Sequence, residues 1–327
     1  MRVVRETKRG NVEERTGLKR EAKRKPSQIA FNPTVSIIGA GRLGAALAFA
    51  LSAKGIAVET VICRSAQKAR RVARLAGAQT QALLLTQLSD LPPSDVLLIT
   101  TPDDVIEPVA QQVAVSIGWK GGGHVALHAS GALSSDALES LRAAGFSTGS
   151  MHPLISVSDP IAGASSLGLA HFSIEGKPQA VRVARSLVRI LGGQSFSISP
   201  RDKSLYHAAA VMSSGHVVAL FDITTGLLIE CGLTRLQARD ALLPLLKSTV
   251  ENLTLNPTSR ALTGTFARAD VATVVKHLAA LRAGSDSDAL AAYVLLGLHS
   301  LLLAPTSAAD PNNARKIRRI LKANSKL

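Results

Sequence analysis

Apolar and polar positions along residues 31–199 alternate between two periods. Short runs rich in Val, Ile and Leu indicate strands, and they occur at residues 35–38, 57–63, 95–100, 124–128, 146–151, 170–174 and 196–198. Most of the stretches between these runs carry apolar residues at helical spacing. Strands that alternate with helices in this way predict an α/β fold with a parallel sheet.

From Arg201 onward the pattern is helical alone. Helices are predicted over residues 203–229, 234–253, 271–281 and 289–303, with Gly215 interrupting the first and Pro244 kinking or splitting the second. Thr234 and Asp270 are the expected N-caps of two of them. We therefore predict four parts: a disordered basic tail over residues 1–30, an α/β domain over 31–199, an all-α domain over 200–304 and a basic tail over 305–327.

A glycine-rich turn follows the first strand directly. It comprises Gly39, Ala40, Gly41, Arg42, Leu43 and Gly44, and an apolar helical pattern continues from it. Gly39 permits a tight turn, Gly41 lets a pyrophosphate approach the backbone, and Gly44 allows helix and strand to pack closely. The helix N-terminus adds free N–H groups and the positive end of its dipole. The turn predicts a dinucleotide site; the alternative is a turn of the same kind that has lost its ligand.

The residues after the second strand indicate which dinucleotide binds. Arg64 and Ser65 stand about 20 residues beyond the last glycine of the turn, where this kind of site meets the adenosine ribose. An acid there would bind the ribose 2′-hydroxyl, whereas a guanidinium and a hydroxyl suit a 2′-phosphate. We therefore predict NADP(H) as the cofactor; the alternative is an arginine that merely lies on the surface.

Later strands end in loops that face the same crevice. Thr101 and Pro102 are expected to touch the cofactor, and Asp103 to cap the next helix. Ser130 is expected to bind the nicotinamide amide or the substrate.

Two histidines stand at or near the ends of successive strands. His128 is predicted to act in catalysis and His152 to bind substrate. A lone histidine is more often a structural hydrogen-bonding group, and that alternative stays open for both. No pattern of metal ligands is present in the sequence, and no metal site is predicted.

The net charge of +15 is concentrated at the two ends of the chain. Residues 1–25 hold ten Lys and Arg against four Glu, and residues 311–327 hold six Lys and Arg and no acid. Such tails could neutralise phosphates, but no aromatic residues are interleaved to stack on bases. Solvated tails are the preferred interpretation, and nucleic-acid binding the weaker one.

Composition indicates a cytoplasmic protein. The sequence has two cysteines, far apart, which favours a reducing compartment. Its N-terminus lacks the pattern of a signal peptide, and no run of about 18 uninterrupted apolar residues predicts a membrane span.

Several segments resemble a family of bacterial proteins with a Rossmann-like N-terminal domain and a C-terminal helical domain of unknown function. These are residues 39–44, 128–133 (HASGAL), 150–154 (SMHPL) and 206–212 (YHAAAVM), extended by 261–264 (ALTG), Asp270 and His277. The layout is similar to that of pyrroline-5-carboxylate reductases, ketopantoate reductases and deazaflavin-dependent NADP reductases. The resemblance implies NADP binding and hydride transfer, without fixing a substrate.

The sequence departs from that resemblance at three positions. Gly215 stands where the family usually has Asn, Thr265 where it usually has Pro, and Ala269 where it usually has Gly. In related reductases an Asn on a helix often orients the substrate carbonyl, so its absence bears on the substrate pocket and on activity.

The predicted helix that starts the second domain carries the remaining candidate chemistry. Lys203 and His207 share one helix face, and Tyr206 lies beside it. Lys203 and His207 are predicted catalytic groups and Tyr206 a substrate-binding one; the alternative is a polar helix start that faces solvent. The apolar helices of this domain predict a homodimer.

The preferred hypothesis is an NADPH-dependent oxidoreductase that reduces a small, anionic carbonyl or imine compound. The main alternative is an NADP(H)-binding sensor or regulatory protein with little or no catalysis. A nucleic-acid-associated protein acting through its tails is the third.

Overall fold

The structure joins one large sheet to a group of helices. A computed structural model describes residues 32–119, 122–284, 286–304 and 310–324. The tail predicted over residues 1–30 lies outside the described residues.

Eight strands form a single sheet. They are Val35–Ile38 (β1), Val58–Cys63 (β2), Gln81–Leu84 (β3), Val96–Ile99 (β4), Val125–His128 (β5), Ser147–Leu154 (β6), His171–Gly176 (β7) and Gln194–Ser197 (β8). Their order is β3-β2-β1-β4-β5-β6-β7-β8, and every neighbouring pair is parallel except β6 with β7. Because the winding reverses between β1 and β4, a crevice opens at the carboxyl ends of these two strands.

Helices cover both faces of the sheet. They are Arg42–Ala53 (α1), Ala66–Ala76 (α2), Asp103–Ser116 (α3), Glu139–Ala143 (α4), Pro160–Ser166 (α5) and Pro178–Leu191 (α6). The side chains of Ile37 and Leu98 pack under α1 and α6, whereas those of Ile38 and Ile99 pack under α3. This alternation of side chains along buried strands places apolar cores on both faces.

The chain beyond Pro200 is helical in all its described regular elements. The helices are Lys203–Ser213 (α7), Gly215–Glu230 (α8), Arg235–Leu255 (α9), Thr258–Ala261 (α10), Gly264–Ala267 (α11), Val271–Ala283 (α12), Ser287–Leu303 (α13) and Pro311–Ala323 (α14). Thr234 and Asp270 cap α9 and α12 as predicted, by accepting hydrogen bonds from backbone N–H groups. A small core joins α12, α13 and α14. The predicted α/β fold followed by an all-α region is therefore confirmed.

The structure corrects the prediction for the C-terminal segment. Most of the expected basic tail over residues 305–327 is helix α14, which packs on α12 and α13. Ile317 and Leu321 of this helix are fully buried, and Ala314 packs beside them. Positions 314, 317 and 321 follow helical spacing, so the five cations of α14 lie around an apolar stripe.

Two smaller expectations differ from the structure, and one strand was not expected. Pro244 does not split its helix, because α9 runs unbroken from Arg235 to Leu255. Asp103 does not cap α3: it is the first helical residue, and Pro102 holds the N-cap position without a side-chain bond. Strand β3 was not predicted, because only its last two residues, Leu83 and Leu84, are bulky apolar residues.

The segment Pro200–Glu230 is the one stretch of the described chain that is long and apolar enough to cross a membrane by length and composition. The segment does not form one straight element. Ser214 has non-helical backbone angles and separates α7, of 11 residues, from α8, of 16. Each is shorter than the ~20 residues that span a bilayer.

Candidate functional site

The glycine turn is fixed by its contact with β4. Gly39 has a left-handed φ of +113°, and the Thr100 hydroxyl donates a hydrogen bond of 2.8 Å to its carbonyl oxygen. A Cβ on Gly44 would overlap that same carbonyl oxygen and the Thr100 side chain. Both glycines are therefore required for strand, turn and helix to pack this closely.

Gly41 has a different role from the other two glycines. A Cβ built on it would meet nothing within 4 Å, because the residue borders an open cleft. Gly41 is the N-cap of α1 and provides no side-chain cap for the helix. The first N–H groups of α1, which begins with Arg42 and Leu43, have no partner within the helix. This cradle fits the pyrophosphate of a dinucleotide.

The cleft beside this turn has a volume of about 370 Å³. We call it the nucleotide cleft; its lining includes Gly39, Ala40, Gly41, Arg64, Ser65 and Thr101. Arg64 and Ser65 follow the carboxyl end of β2, and Ser65 caps α2 through the Lys68 N–H. The opposite wall is apolar and includes Leu85 and Val109.

Lys68 is a cation of this cleft that the sequence analysis did not single out. It lies one helical turn beyond Arg64, on the first turn of α2, and lines the same cleft. The spacing of four residues between the two cations was the available signal. Together Arg64, Ser65 and Lys68 fit a phosphate group on the adenosine ribose.

The loop after β4 supplies a second indication of a ligand. Thr101 and Pro102, which are predicted to touch the cofactor, line the nucleotide cleft. The Thr101 hydroxyl oxygen is buried and has no hydrogen-bond partner. A buried polar atom without a partner is costly, and a ligand that supplies the missing bond removes that cost.

A second cavity continues from the nucleotide cleft towards the helical region. It has a volume of about 470 Å³, and we call it the central chamber; its lining includes Arg42, Leu43, Asp103, Ser130, His152 and His207. Thr100 and Thr101 border both cavities. The chamber is therefore adjacent to the nucleotide cleft.

A third cavity extends the crevice between β6 and helices α7 and α8. This apolar groove has a volume of about 720 Å³, and its lining includes Leu154, Tyr206, Ala209, Ala210, Val211 and Val218. His152 and His207 border both the groove and the chamber. The three cavities thus form one continuous crevice.

His152, Tyr206 and His207 form the polar centre of that crevice. Nδ1 of His152 lies 2.7 Å from the Tyr206 hydroxyl, and the rings of His152 and His207 meet edge to face with centroids 5.7 Å apart. Burial, with the nearby charge of Lys203, lowers the pKa of His152 to about 4. Burial raises the pKa of Tyr206. His152 is therefore neutral and Tyr206 protonated at neutral pH.

Gly131 holds this centre close to the loop after β5. A Cβ on Gly131 would lie 2.5 Å from Cδ2 of His207 and 2.9 Å from Nε2 of His152. The backbone of the loop thus packs directly against both rings. Nε2 of His152 lies on this side of its ring, opposite the Tyr206 contact.

The predicted catalytic role of His128 is not supported by its position. Both of its ring nitrogens are engaged by the main chain: Nδ1 accepts from the Ser130 N–H at 3.2 Å, and Nε2 lies 3.0 Å from the Ser134 carbonyl oxygen. The carbonyl can only accept, so Nε2 carries the proton. His128 is 1% exposed, and burial lowers its pKa to about 4. It is a neutral structural group that fixes the loop.

Lys203 also lies away from the crevice, contrary to its predicted role as a catalytic group. It is 1% exposed, and its Nζ donates hydrogen bonds to the Ser130 carbonyl oxygen at 2.9 Å and the Ser150 hydroxyl at 2.5 Å. Burial lowers its pKa to about 8. Glu175 holds the far end of the same loop by accepting from the Ser135 N–H at 2.7 Å. Lys203 therefore positions the loop.

Of the other predicted residues, Ser130 lines the chamber but turns its hydroxyl inward. The Ser130 Oγ accepts hydrogen bonds from the Ala132 and Leu133 N–H groups. Within the residues that the structure describes, no group of three His, Cys, Asp or Glu side chains could hold a metal ion. Cys63 and Cys231 are both free.

The sheet order, the glycine turn and the cleft define a Rossmann-like dinucleotide-binding architecture with a helical C-terminal region. Residues 22–153 match the Rossmann-like domain, and residues 170–300 match a domain of unknown function (DUF2520). Both matches agree with the resemblance noted in the sequence, which is to proteins that join these two kinds of domain. A search of functionally curated proteins finds no match.

Solved structures share this fold at low sequence identity. Protein TM1727 from Thermotoga maritima is 20% identical, with a TM-score of 0.61 over 89% of this chain and 98% of its own. A candidate NADP oxidoreductase, BF3122 from Bacteroides fragilis, is 19% identical, with a TM-score of 0.63 over 90% and 99%. The NADP-bound pyrroline carboxylate reductase of Plasmodium falciparum is 12% identical, with a TM-score of 0.53 over 90% and 99%. At these identities the likeness is one of fold.

Proposed function

We propose that this protein is a cytoplasmic NADP(H)-dependent oxidoreductase that reduces the carbonyl or imine group of a small molecule. The observation that carries the proposal is the continuous crevice, which leads from Arg64 and Lys68 past the glycine turn to His152 and His207. A nucleotide held at one end of this crevice would direct its other end to the histidines. Two free cysteines fit a reducing compartment.

In this proposal, different residues of the nucleotide cleft bind different parts of the cofactor. The N–H groups at the start of α1 would bind the pyrophosphate, and Arg64, Ser65 and Lys68 the 2′-phosphate. The Thr101 hydroxyl would gain a partner nearer the chamber. When bound, NADPH supplies a hydride, which turns a carbonyl into an alcohol or an imine into an amine once a proton is added.

His152 and Tyr206 would supply that proton. In the proposed tautomer the Tyr206 hydroxyl, 2.7 Å from Nδ1 of His152, donates to Nδ1, so that Nε2 carries the proton on the side of Gly131 and the chamber. As negative charge develops on the substrate oxygen or nitrogen, Nε2 donates to it, and Nδ1 takes the proton of Tyr206. Solvent then returns a proton to the Tyr206 oxygen.

The alternative function, an NADP(H)-binding sensor with little catalysis, has one observation in its favour. Gly215 has no side chain at the position where the family resemblance predicts Asn. A Cβ built there would meet nothing within 4 Å, so no neighbouring group takes the place of the Asn. Measuring NADPH binding and NADPH oxidation together separates the reductase from the sensor. Binding of NADPH without its oxidation by any carbonyl or imine compound supports the sensor.

The test combines cofactor binding with turnover. NADPH binding is measured by fluorescence, and its oxidation by absorbance with a panel of aldehydes, ketones and cyclic imines. His152→Asn should abolish oxidation and Tyr206→Phe should lower it about 100-fold, while both retain NADPH affinity, because neither lines the nucleotide cleft. Failure of the wild type to bind either NADPH or NADH would overturn the reductase and the sensor together.

We further infer that a second copy of the chain covers part of the helical region. Helices α8 and α9 expose large apolar side chains, including Leu220, Leu236, Leu245 and Leu255. Exposed apolar patches of this kind mark interaction surfaces, and two-fold dimers are the commonest assemblies of identical chains. Sedimentation should give a dimer for the wild type and a monomer for Leu236→Asp with Leu245→Asp. A monomeric wild type would contradict the inference.

A further inference from the structure

The apolar groove continues from the two histidines of the chamber into the helical region. It is bordered by β6 on one side and by α7 and α8 on the other, and it is the largest of the three connected cavities. A substrate whose reacting group lies at His152 would extend the rest of its structure into this groove. The chemical character of the groove lining therefore indicates which kind of group this part of the substrate carries.

The side chains that line the groove carry no formal charge in the described chain. Apart from the two histidines they are apolar or neutral, such as Leu154, Ala210, Val211, Ser213 and Val218. A carboxylate moved from water to such a surface would lose hydration without gaining an opposite charge. An uncharged apolar group would instead gain from burial.

The charged residues elsewhere in the crevice would not pair with a carboxylate on the substrate. Arg42 lines the chamber, but it is the first residue of α1, where the phosphates of a dinucleotide would take its charge. Asp103 faces the same chamber and is negative, so it would repel a carboxylate. Lys203 is buried beneath the loop, with its ammonium group directed at Ser130 and Ser150.

We propose that the apolar groove binds the uncharged, apolar body of the substrate, so that the protein takes neutral aldehydes, ketones or imines in preference to keto acids. This inference rests on the proposed reductase function and replaces the anionic substrate expected from the sequence. Specificity would come from the absence of a cation among the described residues of the lining, since a carboxylate that is partly desolvated there gains no opposite charge in return.

The test compares matched compounds that differ by one carboxylate. Hexanal is paired with 6-oxohexanoate, and benzaldehyde with 4-carboxybenzaldehyde. Dissociation constants are measured by calorimetry, with and without NADP⁺, so that no turnover is needed. The neutral member of each pair should bind at least tenfold more tightly, which corresponds to about 1.4 kcal/mol.

Two variants locate the preference in the groove. Val218→Lys adds a cation to the lining and should bring the two members of each pair within about threefold of one another. Leu205→Lys is the matched control, because Leu205 is 77% exposed on α7 and lies outside the groove. It should leave the preference of the wild type unchanged.

Three results would overturn the inference. The first is equal or tighter binding of the carboxylates by the wild type, and the second is an unchanged preference in Val218→Lys. The third is failure of both members to bind at millimolar concentration, which would mean that the groove does not hold the body of the substrate. The reductase proposal is tested separately by NADPH oxidation: turnover of the keto acids with tight binding would refute the inference and leave that proposal standing.

Discussion

The ammonium group of Lys203 lies 2.9 Å from the carbonyl oxygen of Ser130, and this bond connects the first long helix of the helical region to the loop that borders the chamber. Ser150 completes the contact, because its hydroxyl accepts from Lys203 and donates to the Ser130 oxygen at 3.3 Å. The position of the loop is therefore tied to the position of α7. A lysine that could have served as an acid in the crevice instead sets the shape of one wall.

Because Lys203 is buried, we expect the free energy of unfolding to vary with pH in the alkaline range. Its pKa is about 8 in the folded protein and 10.5 in the unfolded chain. Between these values the unfolded state binds more protons, so the contribution of Lys203 to stability rises with pH. It is complete above pH ~10.5 and is lost as the pH falls through ~8.

The free energy of unfolding of the wild type minus that of Lys203→Met should therefore rise by roughly 3 kcal/mol from pH 8 to 10.5, at about 1.4 kcal/mol per unit. Urea unfolding across this range measures it. Taking the difference cancels the titration of all groups that the two proteins share. A difference that is constant, or that decreases with pH, would show that the ammonium group is not desolvated in solution.

His128 should make the free energy of unfolding depend on pH in the acid range. Its pKa is lowered from 6.5 to about 4, so the folded state keeps it neutral while the unfolded state takes up a proton. Its contribution is present above pH ~6.5 and is lost as the pH falls through ~4. The stability of the wild type relative to His128→Gln should therefore decrease by roughly 3 kcal/mol from pH 6.5 to 4. Urea unfolding tests this, and a flat difference would contradict it.

Arg64 and Lys68 should determine the choice between NADPH and NADH. Both cations line the nucleotide cleft, and a charge-assisted hydrogen bond to phosphate contributes about 1.5–3 kcal/mol. Arg64→Ala should weaken NADPH binding about 10- to 100-fold, Lys68→Ala by a smaller factor, and neither should change NADH binding by more than about threefold. Fluorescence titration gives the four constants.

Arg70→Ala is the matched control for that experiment. Arg70 is exposed on the same helix but lies outside the nucleotide cleft, so its replacement should leave the preference between the two cofactors unchanged. Equal losses for NADPH and NADH in Arg64→Ala would place this guanidinium on a part of the nucleotide that both cofactors share.

The sequence predicted those parts of the site that depend on local signals. The glycine turn and the residues after β2 follow from spacing along one strand, turn and helix, which the chain carries in consecutive residues. His152 was predicted from its place near a strand end and Tyr206 from its place on a helix, but their contact joins residues 54 apart in the chain, and no local pattern predicts it.

The parts that sequence could not predict depend on contacts between distant segments. The burial of Lys203 results from its approach to a loop 73 residues earlier in the chain, and no local pattern distinguishes it from a lysine in the crevice. Helix α14 was obscured by its charge, because its five cations outweighed the apolar spacing of Ile317 and Leu321. Ala269 was noted only because the family resemblance predicts Gly there, and its φ of +51° lies in the left-handed region that favours glycine.

Gly131 offers the most direct test of the arrangement around the two histidines. Its backbone angles are not left-handed, so an alanine at this position would cause no backbone strain and only steric contact with its neighbours. That methyl group would lie 2.5 Å from His207 and 2.9 Å from His152, and both rings would have to move. A displacement of about 1 Å at a reacting group lowers turnover on the order of 100-fold.

Gly131→Ala should therefore shift the imidazole NMR signals of His152 and His207 and lower NADPH oxidation about 100-fold, while NADPH affinity stays within about threefold. The nucleotide cleft is unaffected because it is built by the turn at Gly39 and by the end of β2. Gly118→Ala is the control, since a Cβ there meets nothing within 4 Å. Parallel loss of cofactor binding and oxidation in Gly131→Ala would mean that the change acts on the whole fold, and unchanged imidazole signals would mean that the loop does not press on the two rings.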